Sequence, residues 1–263
     1  MSSEPTKEPV EKEVTQQLYS REKFMLDSLE PETGRDRFDI VEKRLVRIEV
    51  DGFVWIKRGS VIAYRGDLKF RRETVFRAET IQTKKGPVRS ALKREIVPLA
   101  KAEGKGTLYV SNDGAHNQVV RLEGGIVYIV SSNLLAFEDT LEHEVMMAGG
   151  VGVLAGGIFV IKMSGNGLVA FSLKGDPVTM RVTPDDPVST DPTATVAWTG
   201  SLWPQLKTDL EMRTLLAHGG GAAIQMLFRG DGYVIVHARS RMEAMRSSLI
   251  KGATSKIKKL VGA

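Results

Sequence analysis

Cysteine is absent from the 263 residues of this chain, which excludes a disulfide framework, thiolate metal ligation and a cysteine nucleophile. Aromatic residues are sparse at 6%, so each one is informative about packing. Long apolar runs are missing too. The longest, "MMAGGVGVLAGGIFVI" (146–161), is broken by glycines and falls short of the ~18 residues that span a bilayer. The leading segment "MSSEPTKEPVEKE" has no apolar signal-peptide core and is too acidic for a transit peptide, so the expected location is cytoplasmic.

Catalytic signatures are also wanting. There is no Gly-x-Ser-x-Gly, Walker A or His-Glu-x-x-His motif. The histidines stand far apart at 116, 143, 218 and 237, without the His-x-His pair and further Glu and His that a cupin-like metal site requires. Gly150, Gly152 and Gly156 approach the dinucleotide-binding spacing, but a strand follows where that motif needs a helix. Glu142 and Glu144 share one strand face, which alone does not split their pKa values into an acid and a base. The loop "TPDDPVSTDP" (183–192) gathers Asp185, Asp186 and Asp191 without the six or more oxygens of a calcium site. These patterns lead to the expectation of a protein that is not an enzyme and uses no metal or cofactor.

What is present begins with a repetition. "VIAYRGDLKF" (61–70), "LLAFEDTLEH" (134–143) and "TVAWTGSLWP" (195–204) each place an alanine before a ring: Ala63-Tyr64, Ala136-Phe137 and Ala197-Trp198. Downstream, each has a Gly-x-Gly, in "EGKGTLYVS", "SGNGLVAFS" and "RGDGYVIVH", which reads as a tight turn opening a strand. The repeating unit is strand, polar turn, strand, flexible stretch, strand, Gly-x-Gly turn, strand, with a period of roughly 60–75 residues. Short β-branched segments at 44–50, 108–110, 118–130, 158–163, 178–182 and 233–239 indicate an all-β sandwich or barrel. A ring at a fixed place in each unit is read as a core or seam residue.

This pattern, carried by "GSVIAY", "GIVYIVSSNLLAF" and "VSTDPTATVAW" over about residues 45–241, resembles the altered-inheritance-of-mitochondria family. Its bacterial and archaeal members were long filed as a domain of unknown function. They share the fold superfamily of the tryptophan RNA-binding attenuation protein (TRAP-like). The resemblance implies an all-β protein of three tandem pseudo-repeats of a sandwich-like antiparallel module, self-associating as a homo-oligomer, of which a trimer is one form. The chain departs from the family pattern where its first flexible stretch is rich in lysine and arginine instead of glycine, and in its two terminal extensions.

The expected organisation is a polar N-terminal extension (1–40, disordered at first, with a short helix within 15–30), a β domain (41–241, in units of about 45–118, 119–182 and 183–241), and a C-terminal helix (242–263). In that last segment Met242, Met245, Leu249, Ala253, Ile257 and Leu260 recur at helical spacing, with lysines on the opposite side. Such a helix suits a membrane surface, and equally suits packing on the protein's own sheet or a neighbouring subunit.

The leading functional expectation is a non-catalytic scaffold that self-associates and docks on an anionic membrane surface or protein partner. The docking residues are Arg246, Leu249, Ile250, Lys251, Lys256, Ile257, Lys258, Lys259 and Leu260. The alternative is RNA or single-stranded DNA binding through the basic block 57–94, which holds twelve Lys/Arg against three acids. Its candidate contacts are Arg71, Arg72, Lys84, Lys85, Arg89, Lys93 and Arg94. A third possibility, a small-ligand cleft between modules, has no convergent polar cluster in its favour.

Overall fold

The computed structural model describes residues 20–30, 36–74, 81–83, 86–88, 98–148, 158–208 and 224–237. The chain divides into two compact units, residues 1–32 and 33–263. In the first, helix α1 (Arg21–Asp27) is capped by the Ser20 side chain, which accepts from the Lys23 N–H. Phe24, Met25 and Leu26 on this helix are exposed.

The second unit is built of antiparallel strands. In chain order these are β1 (Phe38–Glu42), β2 (Leu45–Lys57), β3 (Val61–Thr74), β4 (Ile81–Thr83), β5 (Gly86–Val88), β6 (Pro98–Val110), β7 (His116–Val130), β8 (Leu134–Glu138), β9 (Leu141–Ala148), β10 (Ile158–Leu173), β11 (Pro177–Val182), β12 (Val188–Thr190), β13 (Thr195–Thr199), β14 (Gln205–Thr208), β15 (Ile224–Phe228) and β16 (Gly232–His237). The main sheet runs β11-β16-β13-β7-β10-β8-β2-β6-β3, with β1 added on β2 and β9 on β10. A smaller sheet runs β12-β15-β14, and β4 pairs with β5. The all-β class is therefore observed.

The pairing order has a regularity. In β2-β6-β3, in β7-β10-β8 and in β11-β16-β13, the strand latest in sequence lies between the other two. These groups are joined in turn. β8 pairs with β2 through Phe137↔Trp55 and Ala136↔Ile56, and β13 pairs with β7 through Trp198↔Tyr128 and Ala197↔Ile129.

Sequence pattern explains the layers. In β2, Val46, Ile48 and Val50 are buried while Arg47 and Glu49 turn away from the core, and the same alternation resumes after Gly52 with Val54 and Ile56. β8 is buried along its whole length because both faces are covered. Leu135 and Ala136 join the core formed by β2 and β6, and Val196 and Ala197 join the next core, with Ile129 and Ile161. A third core gathers Trp198, Met226, Phe228 and Val234.

One expectation is corrected. The Gly-x-Gly motifs at 104–106 and 165–167 are not turns between strands, because β6 and β10 run continuously through them. Their glycines answer to a bend and to close approach. Gly104, Gly165 and Gly230 take positive φ (130°, 109° and 118°), which glycine adopts without steric cost. A Cβ on Gly106 would collide with the carbonyl oxygen of Arg65, and one on Gly167 or Gly232 with the hydroxyl of Thr140 or Thr199. At 230–232 the strand is broken, between β15 and β16.

Candidate interaction edge

β3 closes one end of the main sheet, and among the described residues it pairs with β6 alone. It carries the first Ala-ring pair, and that pair has a different environment from the other two. Phe137 and Trp198 are 0% and 1% exposed, whereas Tyr64 is 52% exposed. The preceding residue behaves likewise: Leu135 and Val196 are 0% exposed and Ile62 is 63%. The expected core or seam position is thus filled at Phe137 and Trp198, while Tyr64 lies on an open edge. The physical reason is the partner strand. β8 and β13 each lie against a neighbour on both sides, β2 or β7 on one and β10 or β16 on the other. Tyr64 instead meets Phe70 edge-on at 5.2 Å, leaving two exposed rings side by side.

Basic residues gather beside them. Arg58, Arg71 and Arg72 line a cleft of about 520 Å³ with Ile56, Val61 and Phe70. Arg71 forms a 3.0 Å ion pair with Glu103 across the β3–β6 pairing. Of the sequence-predicted nucleic-acid contacts, Arg71 and Arg72 are brought together here, and Lys84, Lys85, Arg89, Lys93 and Arg94 lie outside the described residues. So do the docking residues Arg246, Leu249, Ile250, Lys251, Lys256, Ile257, Lys258, Lys259 and Leu260, and with them the expected C-terminal helix.

The seam between β2 and β8 shows what a completed edge contains. Trp55 stacks on Phe137 at 5.7 Å, and His143 meets both rings edge-on at 4.8 and 5.0 Å. The Lys101 ammonium lies over Phe53 and Trp55 at 5.0 and 4.7 Å and reaches Glu73 at 3.4 Å. Burial, and secondarily the nearby Lys101 charge, hold the His143 imidazole below its ordinary pKa, so its neutral form is favoured. The second seam repeats the stack with Tyr128 on Trp198 at 5.6 Å, and Trp203 meets both rings edge-on.

Sequence reasoning missed a pair of anchoring side chains at these seams. The buried Glu138 carboxylate accepts from the Leu168 N–H at 2.6 Å, and the Thr199 hydroxyl accepts from the Tyr233 N–H at 2.9 Å. Both serve the residue immediately after a Gly-x-Gly, and both stand directly after an Ala-ring pair. That constant offset is the signal in the sequence. Glu138 is also gripped by Arg37, whose guanidinium lies 3.4 Å from Glu138 and 3.0 Å from Asp139 and donates to the Phe53 carbonyl.

Comparison with known proteins agrees with this architecture. The family model for mitochondrial biogenesis AIM24 matches residues 38–239, and the chain belongs to that family. The X-ray structure of protein SPYM3_0169 from Streptococcus pyogenes is similar in fold, with a TM-score of 0.59 at 17% identity, covering 81% of this chain and 97% of that one. Among curated proteins none matches the chain.

Proposed function

For a member of the AIM24 family with this build, we propose a non-catalytic assembly role, in which copies of the chain associate and the assembly docks on an anionic membrane surface or a protein partner. The observation that carries the proposal is the open β3 edge, where Ile62 and Tyr64 are exposed although Leu135, Val196, Phe137 and Trp198 at the matching places are buried. Exposed apolar residues on the open edge of a strand are a template for pairing with another chain. With this reading goes a finer architecture: three tandem pseudo-repeats of one TRAP-like sandwich module, supported by the recurring pairing order. The basic segment 242–263 is the docking element. One such helix binds reversibly, and several on one assembly bind with avidity. The location that fits is cytoplasmic and peripheral at a membrane.

A second reading has its own support. Tyr64 and Phe70 expose rings next to Arg71 and Arg72, the combination with which single-stranded nucleic acid is stacked and neutralised. The ion pair of Arg71 with Glu103 works against it.

Sedimentation with neutral and anionic liposomes separates the readings, comparing the full chain with one ending at Arg241 in the presence of a labelled single-stranded RNA. The assembly role predicts that the full chain pellets with anionic liposomes and that the truncated chain stays in solution. RNA bound by both forms with neither pelleting assigns the work to the β3 edge as a nucleic-acid surface. Such binding must then weaken steeply from low to physiological salt.

A further inference from the structure

The cleft beside β3 offers a restricted chemistry. Ile56, Val61, Phe70, Pro98 and Ala100 supply its apolar lining, and Arg58, Arg71 and Arg72 supply its charge. No carboxylate, amide or hydroxyl side chain lines it. A cation therefore meets repulsion there, and a sugar or a nucleobase finds no side-chain acceptor for its O–H and N–H groups. What fits is a ligand with an anionic end and an apolar body, and about 520 Å³ lies within the size range of small-molecule sites. Ile62 and Tyr64, the exposed edge residues, are not part of the lining.

The strand ladders show that the fold does not call for these arginines. Leu68 pairs with Gly104 in the first group and Leu141 with Gly165 in the second, so the two ladders match from those glycines. Three steps further on, Arg71 faces Lys101 where Glu144 faces Lys162. At the next step Arg72 faces Ala100 where Val145 faces Ile161. The Arg58 N–H donates to the Pro98 carbonyl as the Ser131 N–H does to Phe159. A serine, a glutamate and a valine in the second group thus correspond to three arginines in the first. Val145 packs against the second core, and Arg72 takes the matching place on the strand face that carries buried Leu68. Opposite charges across a strand pair stabilise it, whereas Arg71 directly opposite Lys101 destabilises it, a cost that Glu103 and Glu73 only partly offset. Among the described residues Arg72 has no ion pair. Cations concentrated against the interest of stability point to an anion from outside the chain.

We propose that the cleft binds an amphiphilic anion, an aliphatic chain ending in a carboxylate or a phosphate. Arg72, with Arg58 on the same cleft, takes the headgroup, since a guanidinium donates two parallel hydrogen bonds to either oxyanion. The chain lies on Ile56, Val61, Pro98 and Ala100 and leaves water there. Arg71 stays with Glu103 and contributes positive potential instead of a direct bond. The site needs neither the association of copies nor the segment 242–263, so it stands or falls separately from the assembly role.

Calorimetric titration of the full chain tests this with decanoate, decyl phosphate, decanol and inorganic phosphate, the amphiphiles kept below their micelle concentrations. At least one of the two amphiphilic anions is expected to bind. Decanol and inorganic phosphate are each expected to bind about tenfold more weakly or less, since each lacks one half of the ligand. Arg72→Gln, at an exposed position, is expected to weaken the anion about tenfold and to leave decanol unchanged. Lys69→Gln removes the same charge from the same strand outside the cleft and leaves binding intact. Tighter decyl phosphate identifies a phospholipid-type headgroup, and tighter decanoate a fatty acid. Decanol or inorganic phosphate binding as tightly as the anions, equal losses in the two variants, or no binding at all overturns the proposal. So does a labelled single-stranded RNA that Arg72→Gln weakens and decyl phosphate fails to displace, which assigns the arginines to nucleic acid.

Discussion

Tyr64, Phe137 and Trp198 occupy one place in three similar stretches, and the environment of each is decided by the strand beyond it. The sequence shows the repetition plainly, since an alanine followed by a ring recurs with a polar turn after it. That Tyr64 is open and the other two are closed was not legible, because exposure here depends on the end of a strand order that only tertiary pairing defines. The anchors Glu138 and Thr199 were legible only in retrospect. A glutamate and a threonine look unrelated until both are seen to accept a backbone N–H that would otherwise lose its partner in the interior. Replacing Glu138 with alanine strips the Leu168 N–H and leaves Arg37 without its buried partner. The expected loss is about 1.5–3 kcal/mol in denaturant unfolding. Thr199→Val removes a neutral acceptor and is expected to cost about 1 kcal/mol.

His143 gives a pH dependence at the same scale. Its pKa is lowered in the fold by burial and then by Lys101, so the unfolded chain takes up the proton more readily. Stability from this group is fully present above the ordinary value of 6.5 and declines as pH falls from there through the lowered folded pKa. The groups around it are Trp55, Phe137 and Lys101, the last tied to Glu73. Thermal unfolding between about pH 7.5 and about pH 5, across the imidazole range, is expected to show a decline that His143→Phe flattens. An unchanged slope in the variant means that His143 does not titrate across folding.

At the level of elements, glycine was read for the wrong reason in two of three places. A Gly-x-Gly between β-branched runs fits a hairpin turn, and sequence alone does not separate that from a bend inside a long strand. β6 and β10 keep their ladders through the motif, with the pairing Gly52↔Gly104 on one and a register shift between Ser164 and Asn166 on the other. The second glycine is needed because a neighbouring backbone or hydroxyl fills the place of its side chain. Gly167→Ala is therefore expected to destabilise by about 1–3 kcal/mol through overpacking against Thr140 and Glu138. The companion Gly167→Ala/Thr140→Gly recovers part of that loss if the clash is the cause. Gly124 has open space around the missing Cβ but a positive φ of 84°, so Gly124→Ala probes backbone strain without steric conflict.

For the whole molecule, the all-β class and the repetition were written in spacing and composition, while the order in which the groups join was not. Sequence periodicity sets which residues face inward, but it carries no record of which strand lies beyond an edge. The basic character of the segment 242–263 was legible from charge alone. The charged surface that sequence assigned to 57–94 is partly self-neutralised, with Arg71 held by Glu103. Such cross-strand pairing follows from register and was beyond the reach of a charge count.

Joining of copies of the chain through the β3 edge is tested most directly by the solution mass from light scattering. The full chain and Ile62→Lys/Tyr64→Lys are compared at the same concentration, with circular dichroism confirming that both keep their β content. Association through β3 predicts a multiple of 28.9 kDa for the natural chain and a shift to 28.9 kDa for the double variant, whose charges have no place against a second copy. A natural chain of 28.9 kDa, or an assembly indifferent to the two lysines, contradicts it.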